Sequence, residues 1–283
     1  MAPKVWLITG AGSGFGKETT KQALERGDNV VATDIKLEGL AELQSKYPSD
    51  RLLVHKLDVK STQDINDAFA AAKKSFGRID VVFSNAGYGI ATELEGLPND
   101  LARSLYDVNF WGCTQVGLRA VKFFREDNPP GVGGRLLVTS SMLGLMCFPI
   151  VGIYNSAKHG LEGFFQTLAA ELDPSWNIKI TIVEPGIFRT GAVSGTIGLP
   201  IHPAYNKEGL PTMAIRQMMS NPDIGGDPTK AAKQILRLTE LETPPLRLPL
   251  GKDALQMIEA NLTAILANVK EYASWSDDLE FSS

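Results

Sequence analysis

Val5-Trp6-Leu7-Ile8-Thr9-Gly10-Ala11-Gly12-Ser13-Gly14-Phe15-Gly16 is the stretch that decides the fold. Its first five residues form a continuous β-forming run, which is how a strand buried on both faces reads. Glycines follow at once, and Lys17 to Leu24 contain no helix breaker. A strand, a glycine turn and a helix in that order bring free backbone N–H groups at the helix start to face a diphosphate. Gly10, Gly12, Gly14 and Gly16 let the chain turn sharply and approach a ligand closely; Ser13 and Phe15 share the turn. The spacing Gly10-x-x-x-Gly14-x-Gly16 differs from the common G-x-G-x-x-G fingerprint.

Runs of the same kind return at Asn29–Asp34, Leu52–Leu57, Ile79–Ser84, Arg135–Ser140 and Ile178–Glu184. Between them lie segments with helical spacing: Ala68, Ala71, Ala72 and Phe76 in one, and Ala157, Leu161, Phe164, Phe165, Leu168 and Leu172 in another. Strand and helix in alternation predict an α/β fold, a Rossmann-type doubly wound parallel sheet flanked by helices on both faces. One domain over residues 1–283 is expected, because no repeat, linker or composition break divides the chain. Helices are expected over 101–125 and 155–172. Asp227-Pro228 reads as a helix N-cap with proline at the first position. Leu246–Leu248, set among Pro244, Pro245 and Pro249, predicts an edge strand, and a last helix starts near Lys252. Gly191–Gly226 is rich in glycine and proline yet holds Ile197, Leu199, Tyr205, Met213, Ile215, Met218 and Met219; a loop of that length predicts a substrate loop or lid. The acidic tail 274–283 is expected to fray.

Composition narrows the function. Of 283 residues 43% are hydrophobic and 27 more are glycine, a globular balance that needs no metal or disulfide to fold. The net charge of −4 argues against nucleic acid as a partner. Cys113 and Cys147 are the only cysteines and lack metal spacing, so no metal site is expected; with no secretory signal they indicate a reducing, cytoplasmic setting. The longest run without a polar side chain, Met142 to Ile153, is too short for a bilayer, which needs about 20 residues.

Four positions bring chemistry to this frame. Asp34 ends the second strand, where a carboxylate accepts hydrogen bonds from the ribose hydroxyls of an adenosine and repels a 2′-phosphate. This favours NAD over NADP, with Lys36 and Ser13 as the opposing influence. Tyr154 and Lys158 are four apart on one helix face. An ammonium held beside a phenol favours the phenolate, and such a phenol can exchange a proton near working pH. Ser141 follows the fifth strand, at the carboxyl edge where open α/β sheets bind ligands.

With these residues in place, the chain resembles the short-chain dehydrogenase/reductase family, in its compact single-domain form. The matching pieces are Thr9-Gly10-x-x-x-Gly14-x-Gly16, Asp58-Val59, Asn85-Ala86-Gly87, Asn109, Ser141, Tyr154-x-x-x-Lys158 and Pro185-Gly186, in family order over residues 5 to about 190. Ser84 stands where many members have a first Asn, and Phe15 where many have Ile. The resemblance implies that Tyr154 donates or accepts the proton, and that Lys158 holds the nicotinamide ribose and supports Tyr154. It implies that Ser141 hydrogen-bonds the substrate oxygen and that Asn109 holds a relay water. Asp58 and Val59 would meet the adenine. Asn85, Ala86 and Gly87 would pass the cofactor, and Pro185, Gly186, Ile187 and Thr190 would face its nicotinamide amide and phosphates.

Met142, Leu143, Phe148 and Phe188, with Ser141 and Tyr154, are the expected substrate contacts. An apolar wall of this kind predicts a hydrophobic alcohol or ketone of steroid, terpenoid, polyketide or aromatic type. The motifs are most similar to the hydroxysteroid and retinol dehydrogenase-like members. Two other readings stay open: a catalytically silent dinucleotide-binding sensor or scaffold, and an epimerase or dehydratase working through a transient hydride step. The helices over 101–125 and 155–172 carry Trp111, Leu118 and Phe164, and a homodimer or homotetramer through them is expected.

Overall fold

The computed structural model describes residues 3–190, 195–221 and 223–281. The opening run is strand β1 (Val5–Thr9), buried along its whole length, and it sits near the middle of a seven-stranded sheet. Its neighbours are β2 (Asn29–Asp34) on one side and β4 (Val81–Ser84) on the other. β3 (Leu52–Lys56) lies outside β2, while β6 (Gly134–Thr139), β7 (Ile178–Pro185) and β9 (Arg247–Leu250) continue beyond β4. Every pairing in this sheet is parallel. A separate short pair joins β5 (Ile90–Ala91) to β8 (Ile197–Gly198). The chain is therefore a single-domain α/β protein with a Rossmann-type sheet. Strand order reverses at β1, and a crevice opens there at the carboxyl ends of β1 and β4.

Both faces of the sheet are covered because each strand is apolar on both sides. α3 (Thr62–Phe76), α5 (Cys113–Glu126) and α6 (Gly152–Glu171) bury Phe69, Phe123, Leu161 and Phe165 on one face. α1 (Gly14–Glu25) and α8 (Pro228–Leu238) bury Leu24, Ile235 and Leu236 against Trp6 and Phe83 on the other. Among the described residues the remaining α-helices are α2 (Ala41–Lys46), α4 (Asn99–Tyr106), α7 (Pro211–Met219) and α9 (Lys252–Glu271).

Most expected elements stand within two residues of their predicted ends. Asp227 accepts a hydrogen bond from the Thr229 N–H and caps α8, with Pro228 first in the helix. β9 is an edge strand and includes Pro249, which costs nothing where no further strand needs the missing N–H. The helix expected over 101–125 is interrupted: α4 passes into a π-helical turn, Asp107–Gly112, before α5 begins. The segment 191–226 holds β8 and α7, so it is not an unstructured loop; Gly191–Ser194 and Pro222 lie outside the described residues. In the expected tail, Ala273–Ser276 forms a single 3-10 turn, and Ser282 and Ser283 lie outside the described residues.

Candidate active site

A cavity of about 660 Å³ runs along the carboxyl ends of the central strands. At one end lies the glycine turn. Gly10 and Gly14 adopt φ of 65° and 51°, the left-handed region that glycine enters without a Cβ penalty. A Cβ on Gly16 would run into the Gly10 carbonyl, so this glycine packs α1 against the turn. Ser13 precedes α1 in extended conformation without a side-chain capping hydrogen bond, and no acidic residue stands in the first turn of that helix. The positive end of the helix dipole thus faces the cavity unopposed.

Asp34 lines the same end, with its orientation fixed by the backbone: Gly12 N–H donates to Oδ2 at 2.9 Å and Lys36 N–H to Oδ1 at 3.0 Å. A carboxylate has about four acceptor positions, so two remain for a ligand. Asp58, Val59 and Lys60 follow β3 onto the wall. Asn85 ties three strand ends together. Its N–H donates to Thr9 Oγ1, its Nδ2 to the Thr9 carbonyl at 3.1 Å, and its Oδ1 accepts from Thr139 Oγ1 at 3.0 Å. Ala86 and Gly87 continue past the cavity. A narrow glycine turn, a bare helix N-terminus and a fixed carboxylate together fit a dinucleotide.

The other end carries Ser141, Tyr154 and Lys158. Ser141 is buried and starts a 3-10 turn, Met142–Gly144, its Oγ accepting the Leu143 N–H at 3.1 Å; its hydroxyl proton stays available to a ligand. Tyr154 lies in the first turn of α6 and lines the cavity. Lys158, one helical turn on, is buried, and its Nζ donates to the Thr139 carbonyl at 2.7 Å while lying 5.5 Å from the centre of the Tyr154 ring. Met142, Leu143, Phe148 and Phe188 form an apolar wall beside them. Pro185, Gly186, Ile187 and Thr190 line the floor, with Ile187 N–H donating to Asp253 Oδ2 at 2.7 Å. Phe15, in the glycine turn, and Phe188 meet edge to face with ring centres 5.2 Å apart, and both line the cavity.

Three of the expected site residues stand behind the wall. Gly12 and Gly16 shape the turn. Asn109, fully buried in the π-helical turn, spends both ends of its amide on Tyr88: Oδ1 accepts the Tyr88 N–H at 3.1 Å and Nδ2 donates to the Tyr88 carbonyl at 2.8 Å. Its side chain therefore shapes the loop after β4. His159 is exposed on another face of α6.

Tyr88, Val151, Met218 and Met219 extend the apolar wall at this end, as the run after Ser141 and the methionine-rich segment 191–226 lead one to expect; Ile224 joins them without having been expected. Ile150, just before Val151, has φ of 63°, a costly conformation for a β-branched residue, and its carbonyl accepts the Thr92 N–H at 2.6 Å. No sequence signal marks that turn, because Ile150 reads as ordinary core.

A crevice of this shape, at this point in a parallel sheet, defines a dinucleotide-binding α/β protein. The sequence pattern of the short chain dehydrogenase family matches residues 4–197, and the chain belongs to that family of oxidoreductases. An uncharacterized oxidoreductase of Schizosaccharomyces pombe is 37% identical over 257 residues, covering 89% of this chain and 83% of the relative. Retinol dehydrogenase 8 of Homo sapiens is 30% identical over 261 residues, covering 87% and 81%. A short-chain dehydrogenase from Streptomyces avermitilis has the same fold at a TM-score of 0.85 and 32% identity, over 99% of this chain and 100% of that one. Among the described residues, no helix is long and apolar enough to cross a membrane.

Proposed function

We propose that this protein is an NAD(H)-dependent oxidoreductase that interconverts an alcohol and a carbonyl on a hydrophobic small molecule. The observation that carries this reading is one cavity with the glycine turn and Asp34 at one end and Ser141, Tyr154 and Lys158 at the other. A bound nicotinamide would supply or take up the hydride. The protein's own task is to orient one oxygen and move one proton. Tyr154 is the general acid for reduction and the general base for oxidation. Ser141 donates its hydroxyl proton to the same oxygen and stabilises charge developing there. Lys158, held by the Thr139 carbonyl, places its ammonium beside the Tyr154 ring, within reach of a ligand in the same cavity.

Asp34 receives the adenosine ribose and selects NAD, Asp58 and Val59 meet the adenine, and the floor from Pro185 to Thr190 meets the nicotinamide half. Asn109 supports Gly87 and Tyr88; since its amide is spent, a relay water would need its backbone. Met142, Leu143, Phe148 and Phe188 favour an apolar substrate, and the name of the human relative points the same way. The segment 191–226 is the lid, carrying Met218 and Met219 on α7 over the substrate end. Trp111 and Leu118 are exposed on the π turn and α5, which supports a homodimer or homotetramer through that face. The two unpaired cysteines suit a reducing, cytoplasmic compartment.

Fluorescence titration with NADH and NADPH, followed by an absorbance screen over apolar ketones and alcohols, tests this. NADH should bind more tightly than NADPH. Tyr154→Phe should lower turnover by about 100-fold or more and leave NADH affinity unchanged. Retained turnover in that variant would remove Tyr154 from its role. Binding without turnover on any compound would favour the sensor, and turnover without net absorbance change the epimerase.

A further inference from the structure

The last helix, α9, is two different helices in one. Its first half is docked: Ala254 and Ile258 are buried, and Asn261 Nδ2 donates to the Leu145 carbonyl at 2.7 Å, beside the turn that Ser141 caps. From Leu262 onward every described residue is exposed. That bare half is not polar. Ala260 to Val269 contains no charged residue, while Leu262, Ile265, Leu266 and Val269 are each half exposed or more, and Trp275 is 77% exposed.

The apolar residues keep a register. Leu255, Ile258, Leu262, Ile265, Val269 and Tyr272 alternate by three and four positions, the spacing of a seam that faces another helix. Ile258 sits on the body of the protein; Ile265 and Tyr272, seven and fourteen positions on, continue the same line into water. Of this stripe only Ile258 is buried; Leu255 and every member from Leu262 on are bare. A short helix end of this kind is marginal in water without a partner.

We propose that the exposed half of α9 pairs with the same helix of a second copy of this chain. Period and charge select this occupant. The heptad calls for a helix, and an identical uncharged helix meets it with no like-charge repulsion. A membrane surface fits less well, because interfacial helices carry Lys and Arg on their polar face. Here Lys270 is the one cation after Lys252, and Asp277, Asp278 and Glu280 follow it. The bare side chains from Leu262 to Trp275, at roughly 100 Å² each, come to about 600 Å² per copy. That gives about 1,200 Å² across a two-fold pair, the lower limit for a stable interface. This contact is distinct from the α5 face and does not depend on catalytic activity. It would link two substrate cavities, since the docked half of α9 holds the Leu145 turn and Asp253 holds Ile187.

Light scattering on the full-length protein tests the proposal, with the double variant Leu262→Asp/Val269→Asp and the separate variant Trp111→Glu/Leu118→Glu. The α9 variant should have half the mass of the wild type and keep a single cooperative unfolding transition, because both positions lie outside the core, with a midpoint lowered only by the loss of the partner. In a Cys147→Ser background, Ile265→Cys should give a covalent dimer on mild oxidation. A monomeric wild type, an α9 variant of unchanged mass, or pelleting of the wild type but not the α9 variant with phosphatidylcholine vesicles would overturn the proposal. Loss of assembly in the α5-face variant alone would do the same, and would leave the contact through that face standing.

Discussion

Two arginines hold buried carboxylates in this molecule, Arg216 on α7 and Arg247 on β9, and they are not equivalent. Arg216, on α7, meets one: Nε donates to Glu93 Oε1 at 3.1 Å and Nη2 to Oε2 at 2.8 Å. Arg247, on β9, meets two: Nη1 donates to Glu162 Oε2 at 2.6 Å and to Glu184 Oε1 at 3.1 Å. At Glu93 burial would raise the pKa, but the bonds from Arg216 and the His202 N–H outweigh it and hold the group below the usual carboxylate range. At the second cluster one cation cannot neutralise two anions. Burial first, and then the Glu162 charge, push Glu184 up to about 7; burial likewise raises Glu162. Depth and charge count both separate them: the Glu93 and Glu184 side chains are equally closed to solvent at the surface, 2% and 0% exposed, but Glu184 lies deeper and also faces a second carboxylate.

Their places in the fold differ too. Glu184 immediately precedes Pro185 and Gly186 on the cavity floor. Glu162 lies one helical turn beyond Lys158. A Cβ on Gly144 would meet Ser140 Oγ at 2.7 Å and Glu162 Oε1 at 2.9 Å, so the cluster backs directly onto the turn that Ser141 starts. Arg247 is fixed in the sheet, whereas α7 buries no residue fully: Ile215 and Met219 pack only partly against the apolar cluster around Met142, and Arg216 adds its ion pair.

The largest effect should therefore come from Arg247→Met. It leaves two carboxylates facing each other in a place the sheet cannot open, and about 3–5 kcal/mol of stability should be lost at pH 7.5. Urea unfolding checks this. The loss should shrink at pH 5, where both carboxyls can take a proton. A loss below about 1 kcal/mol would mean that the cluster is hydrated and the contrast with Arg216 is false.

How legible was any of this in the sequence? The strands were, because runs such as Val5–Thr9 and Asn29–Asp34 are apolar on both faces and need no partner to be recognised. The glycine turn and the Tyr154–Lys158 pair were, because their spacing alone puts them together. The π turn was not: Val108, Asn109 and Phe110 carry no breaker, and the widened turn follows from packing. The Glu93–Arg216 pair was not, since the partners are 123 residues apart and both read as solvated charges. Glu184 did leave a signal, a carboxylate closing a run of residues buried on both sides. Glu162 left another, four positions after Lys158 on one face. Neither could be paired without knowing that β9 brings Arg247 between them.

The next effect is in the pH profile. Between about 4.5 and 7, folded Glu184 keeps a proton that the unfolded chain has released, so its contribution is full below the unfolded pKa and is lost as pH rises through 7. Glu93 has the opposite sign: its contribution is present above the unfolded pKa and is lost as pH falls through its lowered folded value. Glu184→Gln should flatten the decline in stability between pH 5 and pH 7.5 by about 2 kcal/mol. Denaturant midpoints of wild type and variant at those two pH values decide it. Parallel lines would show that the raised pKa belongs elsewhere.

The smallest effect on global stability should come from Arg216→Met, although it also strands a buried carboxylate. The reason is relaxation. With no buried residue anchoring α7, the helix can lift, water can reach Glu93, and the cost is capped at that of undocking one short segment, about 1 kcal/mol. The change should be local: amide exchange across α7 rising about tenfold or more, with the exchange of β1 and β6 unaltered. Because Met218 and Met219 line the substrate end from α7, an apolar substrate should bind more weakly while NADH affinity stays the same. If Arg216→Met instead cost as much as Arg247→Met, with α7 amides still protected, the helix would be fixed by its other contacts. The two clusters would then differ in protonation alone.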